Sequence, residues 1–142
     1  MLIFTETKRE ASSFGNRKYA KFAVLTGDVS QSQRQSLLRA YRRPDSNLIL
    51  VATDVAARGL DIDDIDVVVQ YTVRNTDSFV HRTGRTGRAG KDGLNIVFAE
   101  KDDLKFVKEL QDDLNIKINV INNMDCYKAI GEETSTADDS AW

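Results

Sequence analysis

Five short apolar runs punctuate the chain: Leu2-Ile3-Phe4-Thr5, Phe22-Ala23-Val24-Leu25, Leu48-Ile49-Leu50-Val51, Val67-Val68-Val69 and Leu94-Asn95-Ile96-Val97-Phe98. Their apolarity is nearly continuous rather than alternating, which predicts strands covered on both faces, as in a parallel sheet. Helical spacing appears between and after them. Ser30 is placed to cap a helix over Gln31–Arg42, where Leu37, Leu38 and Tyr41 recur at helical intervals. Thr76 or Asp77 can cap a helix carrying Phe79 and Val80. Leu104, Phe106, Val107, Leu110 and Leu114 stripe a third helix from about Lys101 to Asp113. Strands alternating with helices predict an α/β domain with right-handed crossovers, a mainly parallel central sheet and helices on both faces. In such sheets ligands gather at the carboxyl ends of the strands.

Composition sets limits. The 142 residues suffice for one domain with a proper core, and 41% hydrophobic with 30% charged residues is ordinary for a globular protein. A single cysteine, Cys126, excludes an internal disulfide framework, and no apolar run approaches the roughly 20 residues of a membrane span. The expectation is a soluble intracellular chain. The formal net charge of −2 hides a division. From residue 122 to 142, Asp125, Glu132, Glu133, Asp138 and Asp139 oppose Lys128 alone, five negative against one positive, or −4. Residues 1–121 therefore carry −2 + 4 = +2. The expected organisation is a domain over 1–121 followed by an acidic, flexible tail over 122–142 that lacks apolar periodicity.

The chemistry concentrates in His81-Arg82-Thr83-Gly84-Arg85-Thr86-Gly87-Arg88-Ala89-Gly90, which holds the only histidine. Arg82, Arg85 and Arg88 are spaced by three, so a helix ending in a turn would aim them to roughly one side. A guanidinium fork fits phosphate oxygens and keeps its charge near neutrality. Across residues 74–91, Arg74, Arg82, Arg85, Arg88 and Lys91 face only Asp77. Such clustering marks a phosphate footprint better than net charge does. Three further segments follow the first three strands: Thr5-Glu6-Thr7, Thr26-Gly27-Asp28, and Ala52 to Asp61. Hydroxyls, small residues and helix N-termini on one rim suit phosphate oxygens. Arg34 enters the helix one turn after Ser30. Each piece alone has a plainer reading: Thr7, Ser30 and Thr53 as helix caps, Asp28 as a turn former, Arg34 as a solvated helix residue.

Together these motifs resemble the second RecA-like domain of a DEAD-box ATP-dependent RNA helicase, from Leu2 to about Gly93, with a recognisable helix beyond. Leu2–Lys8 is similar to the family's motif IV, Gln31–Arg34 to its QxxR element, Ala52–Asp61 to motif V and His81–Arg88 to motif VI. His81-Arg82 separates the chain from other superfamily 2 helicases, which generally have glutamine at the start of motif VI. Within the family, IFTETK, QSQRQ and VATDVAARGLDI look most like the nucleolar Gu-type branch. The chain departs from the family at Thr26, usually histidine, at Thr72, often aspartate, and at Arg74, often proline.

The resemblance implies a RecA-like three-layer sandwich and a division of labour. Arg85 and Arg88 would be arginine fingers on the γ-phosphate, with Gly59 and Asp61 beside the nucleotide and Asp61 near its ribose. Thr7, Gly27, Asp28, Gln31, Arg34 and Thr53 would hold RNA backbone phosphates. His81, Arg82 and Arg58 would orient the motif. ATP and Mg2+ would be held mainly by a first RecA-like domain, because the chain has neither a GxxxxGK[ST] loop nor a DEAD-like acidic segment after an apolar strand. A chain that begins inside a strand fits the C-terminal half of a longer enzyme. The implied partners are RNA and that first domain, with the fragment itself a monomer and no metal site of its own. The branch resemblance leans towards the nucleus or nucleolus and leaves cytoplasm and organelles open. Two rival classes share the features: a DNA-directed superfamily 2 helicase domain, and a non-catalytic RNA-binding or regulatory fragment. A dinucleotide-binding domain fits poorly, since no GxGxxG follows the first strand.

Overall fold

The computed structural model describes residues 1–121. The expected acidic tail at 122–142 lies outside the described residues. The chain divides into two compact units, Met1–Phe106 and Val107–Trp142.

The first unit is an α/β layer structure. Its elements are β1 (Leu2–Thr5), α1 (Lys8–Gly15), β2 (Lys21–Leu25), α2 (Gln31–Tyr41), β3 (Leu48–Thr53), α3 (Asp54–Ala57), β4 (Val67–Gln70), α4 (Thr76–Thr83) and β5 (Leu94–Val97). All five strands pair in parallel, in the order β2-β3-β1-β4-β5. Every expected strand forms, within a residue or two of its predicted limits. Because the strands are parallel, their carboxyl ends share one edge of the sheet, and the loops after Thr5, Leu25, Thr53 and Gln70 all leave from it.

Two cores sandwich the sheet. On one face Leu2, Phe4, Ala23, Leu25, Leu50, Ala52 and Val68 pack with Leu38 of α2 and Ala56 and Ala57 of α3. On the other, Ile3, Val51 and Val69 pack with Ala11 and Phe14 of α1. Alternation along a strand produces this split: Leu2 and Phe4 face one way and Ile3 the other, and all three are buried. This is why β1, β3 and β4 read as continuous apolar runs; β5, at the sheet edge, departs from the expectation of strands covered on both faces, with Leu94 and Ile96 exposed. Truncating Leu50, which is fully buried, would cost about 2–5 kcal/mol.

Local sequence explains the helices. Thr7 and Glu10 form a capping box that starts α1, and Ser30 and Gln33 form another that starts α2. Helix α1 was not foreseen from its apolar pattern, which is only Ala11 and Phe14. Helix α4 corrects an expectation: its N-cap is Asn75, whose side chain accepts a hydrogen bond from the Ser78 amide at 2.8 Å, rather than Thr76 or Asp77. A 3-10 turn at Lys101–Asp103 leads into α5 (Leu104–Leu114) where one helix was expected. In the second unit, Asn115 takes a left-handed conformation (φ 50°), and the Ile116 and Ile118 amides donate back to Gln111. Among the described residues no helix is long and apolar enough to cross a membrane.

Candidate functional site

The shared edge of the sheet carries nearly every residue singled out in the sequence, but it uses them unequally. Arg82 is the most deeply placed. It lies on α4 with 1% of its surface exposed, the largest fully buried side chain of the described residues. Its guanidinium donates to Asp54 through Nε and Nη2, at 2.8 and 2.7 Å, and to Glu6 Oε1 through Nη2 at 3.0 Å. Nη1 donates to the Thr72 carbonyl. The guanidinium also lies over the Phe4 ring, 5.5 Å from its centroid. Asp54, Glu6 and Thr72 follow β3, β1 and β4, three adjacent strands, so one side chain ties three loops together. Burial works against the Arg82 charge, yet hydrogen bonding and attraction from Asp54 and Glu6 outweigh it, and its pKa is raised.

Arg85 and Arg88 behave differently. Helix α4 stops at Thr83, and the chain turns through Gly84, Gly87 (φ 65°) and Gly90 (φ 76°). Arg85 Nη1 meets Asp63 Oδ1 at 3.0 Å, and Arg88 Nη1 meets Asp63 Oδ2 at 2.6 Å. Both guanidiniums converge on one carboxylate and keep part of their surface in solvent. The three arginines therefore do not share one exposed side: the helix ends between the first and second of them, so Arg82 faces into the domain while the other two face Asp63.

The loop holding this pair is firmly anchored. Thr86 forms an isolated parallel bridge with Ile65, and its hydroxyl donates to the Ile65 carbonyl. A methyl group at Gly93 would come within 2.2 Å of Thr86 Oγ1 and 2.5 Å of the Gly87 nitrogen, so only glycine permits this approach. Below it, the Gln70 side-chain amide donates to Thr83 Oγ1 and Asn95 Oδ1, each at 3.2 Å, and Asn95 donates to Thr83 Oγ1 at 2.9 Å. This polar network joins β4, β5 and the end of α4.

The other residues form two groups. Gly59 (φ 72°) and Asp61 precede Asp63 on the loop after α3, and Arg42 donates to the Asp61 carbonyl. Arg58 and His81 are exposed and line a cleft of about 190 Å³ together with Asp54, Asp77, Arg82 and Arg85. Thr7, Gly27, Asp28, Gln31, Arg34 and Thr53 lie at the ends of β1, β2 and β3, neighbours in the sheet. Thr7 is a helix cap: its oxygen accepts from the Glu10 amide at 3.2 Å, which leaves its hydroxyl proton available. Thr53 stands at the N-cap of α3 with no side-chain capping bond. Arg34 donates from Nη1 to the Ala56 carbonyl at 2.9 Å, and its buried Nε has no partner. Asp28 pairs with Lys8 at 2.6 Å across the ends of β2 and β1.

Sequence reasoning missed Lys8 as a separate cation of this rim, although it stands directly after a capping threonine. It also missed the carboxylates that receive the arginines: Glu6, Asp54 and Asp63. The only available signal was that a loop of arginines held near a surface needs counter-charges nearby.

Residues 1–90 match the family described as the helicase conserved C-terminal domain. The chain is 48% identical over 122 residues to DEAD-box ATP-dependent RNA helicase 9, mitochondrial, of Arabidopsis thaliana, covering 83% of this chain and 20% of that protein. It is 38% identical over 134 residues to the Homo sapiens ATP-dependent RNA helicase DDX50, covering 90% and 18%. It thus spans about a fifth of the length of these relatives. Among solved structures, the C-terminal domain of the DEAD-box protein Dbp5 matches with a TM-score of 0.78 at 27% identity, covering 92% of this chain and 81% of that one. A DEAD box protein from the hyperthermophile Methanococcus jannaschii matches with a TM-score of 0.74 at 34% identity, covering 85% and 34%. By sequence and by fold alike, the chain belongs to the helicase conserved C-terminal domain family, and within it to the RecA-like C-terminal domains of DEAD-box helicases.

Proposed function

We propose that the chain acts as the C-terminal half of an ATP-dependent RNA helicase, contributing arginine fingers to ATP and a phosphate-binding rim to RNA. The observation that carries this reading is the convergence of Arg85 and Arg88 on a single oxyanion, the Asp63 carboxylate. Two guanidiniums that meet on two oxygens of one group suit a terminal phosphate equally well. The cleft that Arg85 lines, about 190 Å³, is smaller than the roughly 300–1,000 Å³ usual for a small-molecule pocket. That supports a nucleotide site completed by a second surface.

ATP with Mg2+, held mainly by the first domain, supplies the phosphoryl group whose transfer drives the cycle. The Mg2+ ligands are assigned to that first domain, because this sequence carries neither a GxxxxGK[ST] loop nor a DEAD-like acidic segment after an apolar strand. In this chain Arg85 and Arg88 stabilise negative charge as it moves on the phosphate. Asp61 faces the ribose, with Gly59 giving the loop its left-handed turn. Arg82, held by Asp54 and Glu6, sets the position of α4, and His81 and Arg58 border the same cleft. On the RNA side, Thr7, Gln31 and Thr53 offer hydroxyl, amide and helix N-terminal donors to backbone phosphates, Gly27 lets the backbone approach, and Arg34 adds charge. Asp28 acts by holding Lys8 in place on this rim. Such contacts give little base specificity.

The Gu-type resemblance suggests a nucleolar location, whereas the relative at 48% identity is named mitochondrial, which supports an organelle. Localising a tagged full-length protein decides between them. The functional reading itself is tested by ATP hydrolysis. Residues 1–142 alone should show no measurable turnover with or without RNA, and the matching first domain added in trans should restore some. Robust RNA-stimulated turnover by the chain alone would overturn the split-site reading.

A further inference from the structure

The geometry points to Asp63 as a positioning residue that occupies the place of the terminal phosphate on Arg85 and Arg88, so that an incoming phosphate must displace it. This inference rests on the phosphate role proposed above for the two arginines.

Asp63 is not a generic surface acid. Its two oxygens are divided between the two arginines, Oδ1 to Arg85 at 3.0 Å and Oδ2 to Arg88 at 2.6 Å. Its side chain is 31% exposed, between the 26% of Arg85 and the 49% of Arg88. Its backbone is fixed by what surrounds it. Ile62 and Ile65 are buried on either side, and the Ile65 amide donates to the Arg85 carbonyl at 3.1 Å. The carboxylate and the loop that carries the arginines are thereby held in register. Arg88 is further oriented by its Nε, which donates to the Gly84 carbonyl at 2.5 Å. The neighbouring acid, Asp64, takes a left-handed backbone (φ 62°) and pairs with Lys91 instead. One acid of the loop thus serves the fingers and the next serves the far side of the glycine turn.

The physical consequence is competition. Part-exposed ion pairs are individually weak and screened by salt, so Asp63 restrains the arginines without locking them. A phosphate bears more charge and more acceptor oxygens than a carboxylate and displaces it when brought close. Until then, Asp63 keeps two like charges from repelling each other apart and lowers their affinity for stray anions. The pair is held together, oriented and partly neutralised while the site is open.

Inorganic pyrophosphate is the probe, titrated at low ionic strength into the 142-residue chain while the Nε–Hε resonances of Arg85 and Arg88 are followed by NMR. Asp63→Asn keeps the shape and removes the charge. It should tighten pyrophosphate binding at these resonances about five-fold, the scale of two part-exposed ion pairs. Asp64→Asn removes the same charge one residue along, at a position whose left-handed backbone suits asparagine, and should change binding far less. Asp63→Ala, with circular dichroism to verify folding, should repeat the Asp63→Asn result. Equal effects of Asp63→Asn and Asp64→Asn would reduce Asp63 to a general field effect and overturn the inference, as would unchanged or weaker binding in Asp63→Asn. The double variant Arg85→Ala/Arg88→Ala, which lacks those resonances and is compared with the parent chain by calorimetric titration of the same pyrophosphate, separates the two levels. If it loses the binding while the two aspartate variants behave alike, the displacement by phosphate fails and the finger assignment stands. If it binds pyrophosphate as well as the parent chain, both fail.

Discussion

Arg82 and Asp54, 28 positions apart, meet edge to edge: Nε to Oδ1 at 2.8 Å and Nη2 to Oδ2 at 2.7 Å. This bidentate contact fixes both the distance and the plane of the two groups, which a lysine could not do. Arg82 thereby differs in kind from the arginines three and six residues later. It joins the strand ends to α4, whereas they present charge to whatever arrives.

Removing Arg82 should therefore be felt in folding. Arg82→Ala leaves Asp54 and Glu6 facing each other without their shared cation and empties a buried volume, so a loss of about 3 kcal/mol is expected in denaturant unfolding. Arg82→Lys should recover only part of it. A change below about 0.5 kcal/mol, the level of an ordinary surface substitution, would contradict the tying role.

Arg85 and Arg88 should show the reverse balance. Each makes a part-exposed pair with Asp63, so alanine at either position should alter stability by no more than about 1 kcal/mol. In the two-domain enzyme, RNA-stimulated ATP hydrolysis should fall by roughly 10³-fold or more, with no rescue by lysine. Near-normal turnover in Arg88→Ala would return this loop to a purely structural role.

For the rim, binding of single-stranded RNA by the chain should be weak, steeply salt-dependent and indifferent to base sequence. Lys8→Ala and Arg34→Ala should each weaken binding across all sequences alike, and each should reduce the slope of log affinity against log salt by about 1. Fluorescence anisotropy with homopolymeric and mixed oligonucleotides measures both. A strong preference for one sequence would mean base-edge contacts and contradict the backbone assignment.

Gly93→Ala tests the anchoring of the arginine loop from a residue that touches no ligand. Its methyl group would press on the Thr86 hydroxyl and the Gly87 backbone, and the backbone cannot rotate away. A cost of about 1–3 kcal/mol is expected, as for overpacking in a core. Thermal unfolding measures it. The Nε–Hε resonances of Arg85 and Arg88 should shift as well, because their loop must move to make room.

The middle of the sheet was legible because β1, β3 and β4 are largely buried on both faces: Val67-Val68-Val69 can hardly be read as anything else. Helix α1 was hidden because eight residues with two apolar positions carry little periodicity. Its start was nonetheless written in the spacing of Thr7 and Glu10. Asn75 was missed as a cap because Thr76 and Asp77, which are equally good capping types, follow it directly. The residues of the rim could be listed from sequence, but their pairing could not. Glu6 and Arg82 are 76 positions apart, and nothing local indicates that an acid after the first strand will meet an arginine at the end of the fourth helix. Whether an arginine faces inward or outward depends on where the helix stops, and Gly84 decides that only once the fold is in place.

The strand order also governs when the sheet can form. The first strand made is the middle one of five, and its neighbours on either side are β3 and β4, not β2. A chain emerging from the ribosome at roughly 5–20 residues per second completes Thr5 long before Leu48 and Val67 exist to pair with its flanks. Until then Leu2, Ile3 and Phe4 have apolar side chains on both sides and unpaired backbone along both edges. The last loop needed to close the site, carrying Arg85 and Arg88, arrives after every strand but β5. In chain order the arginines thus follow four of the five strands, and β1 is the strand that waits longest for its partners.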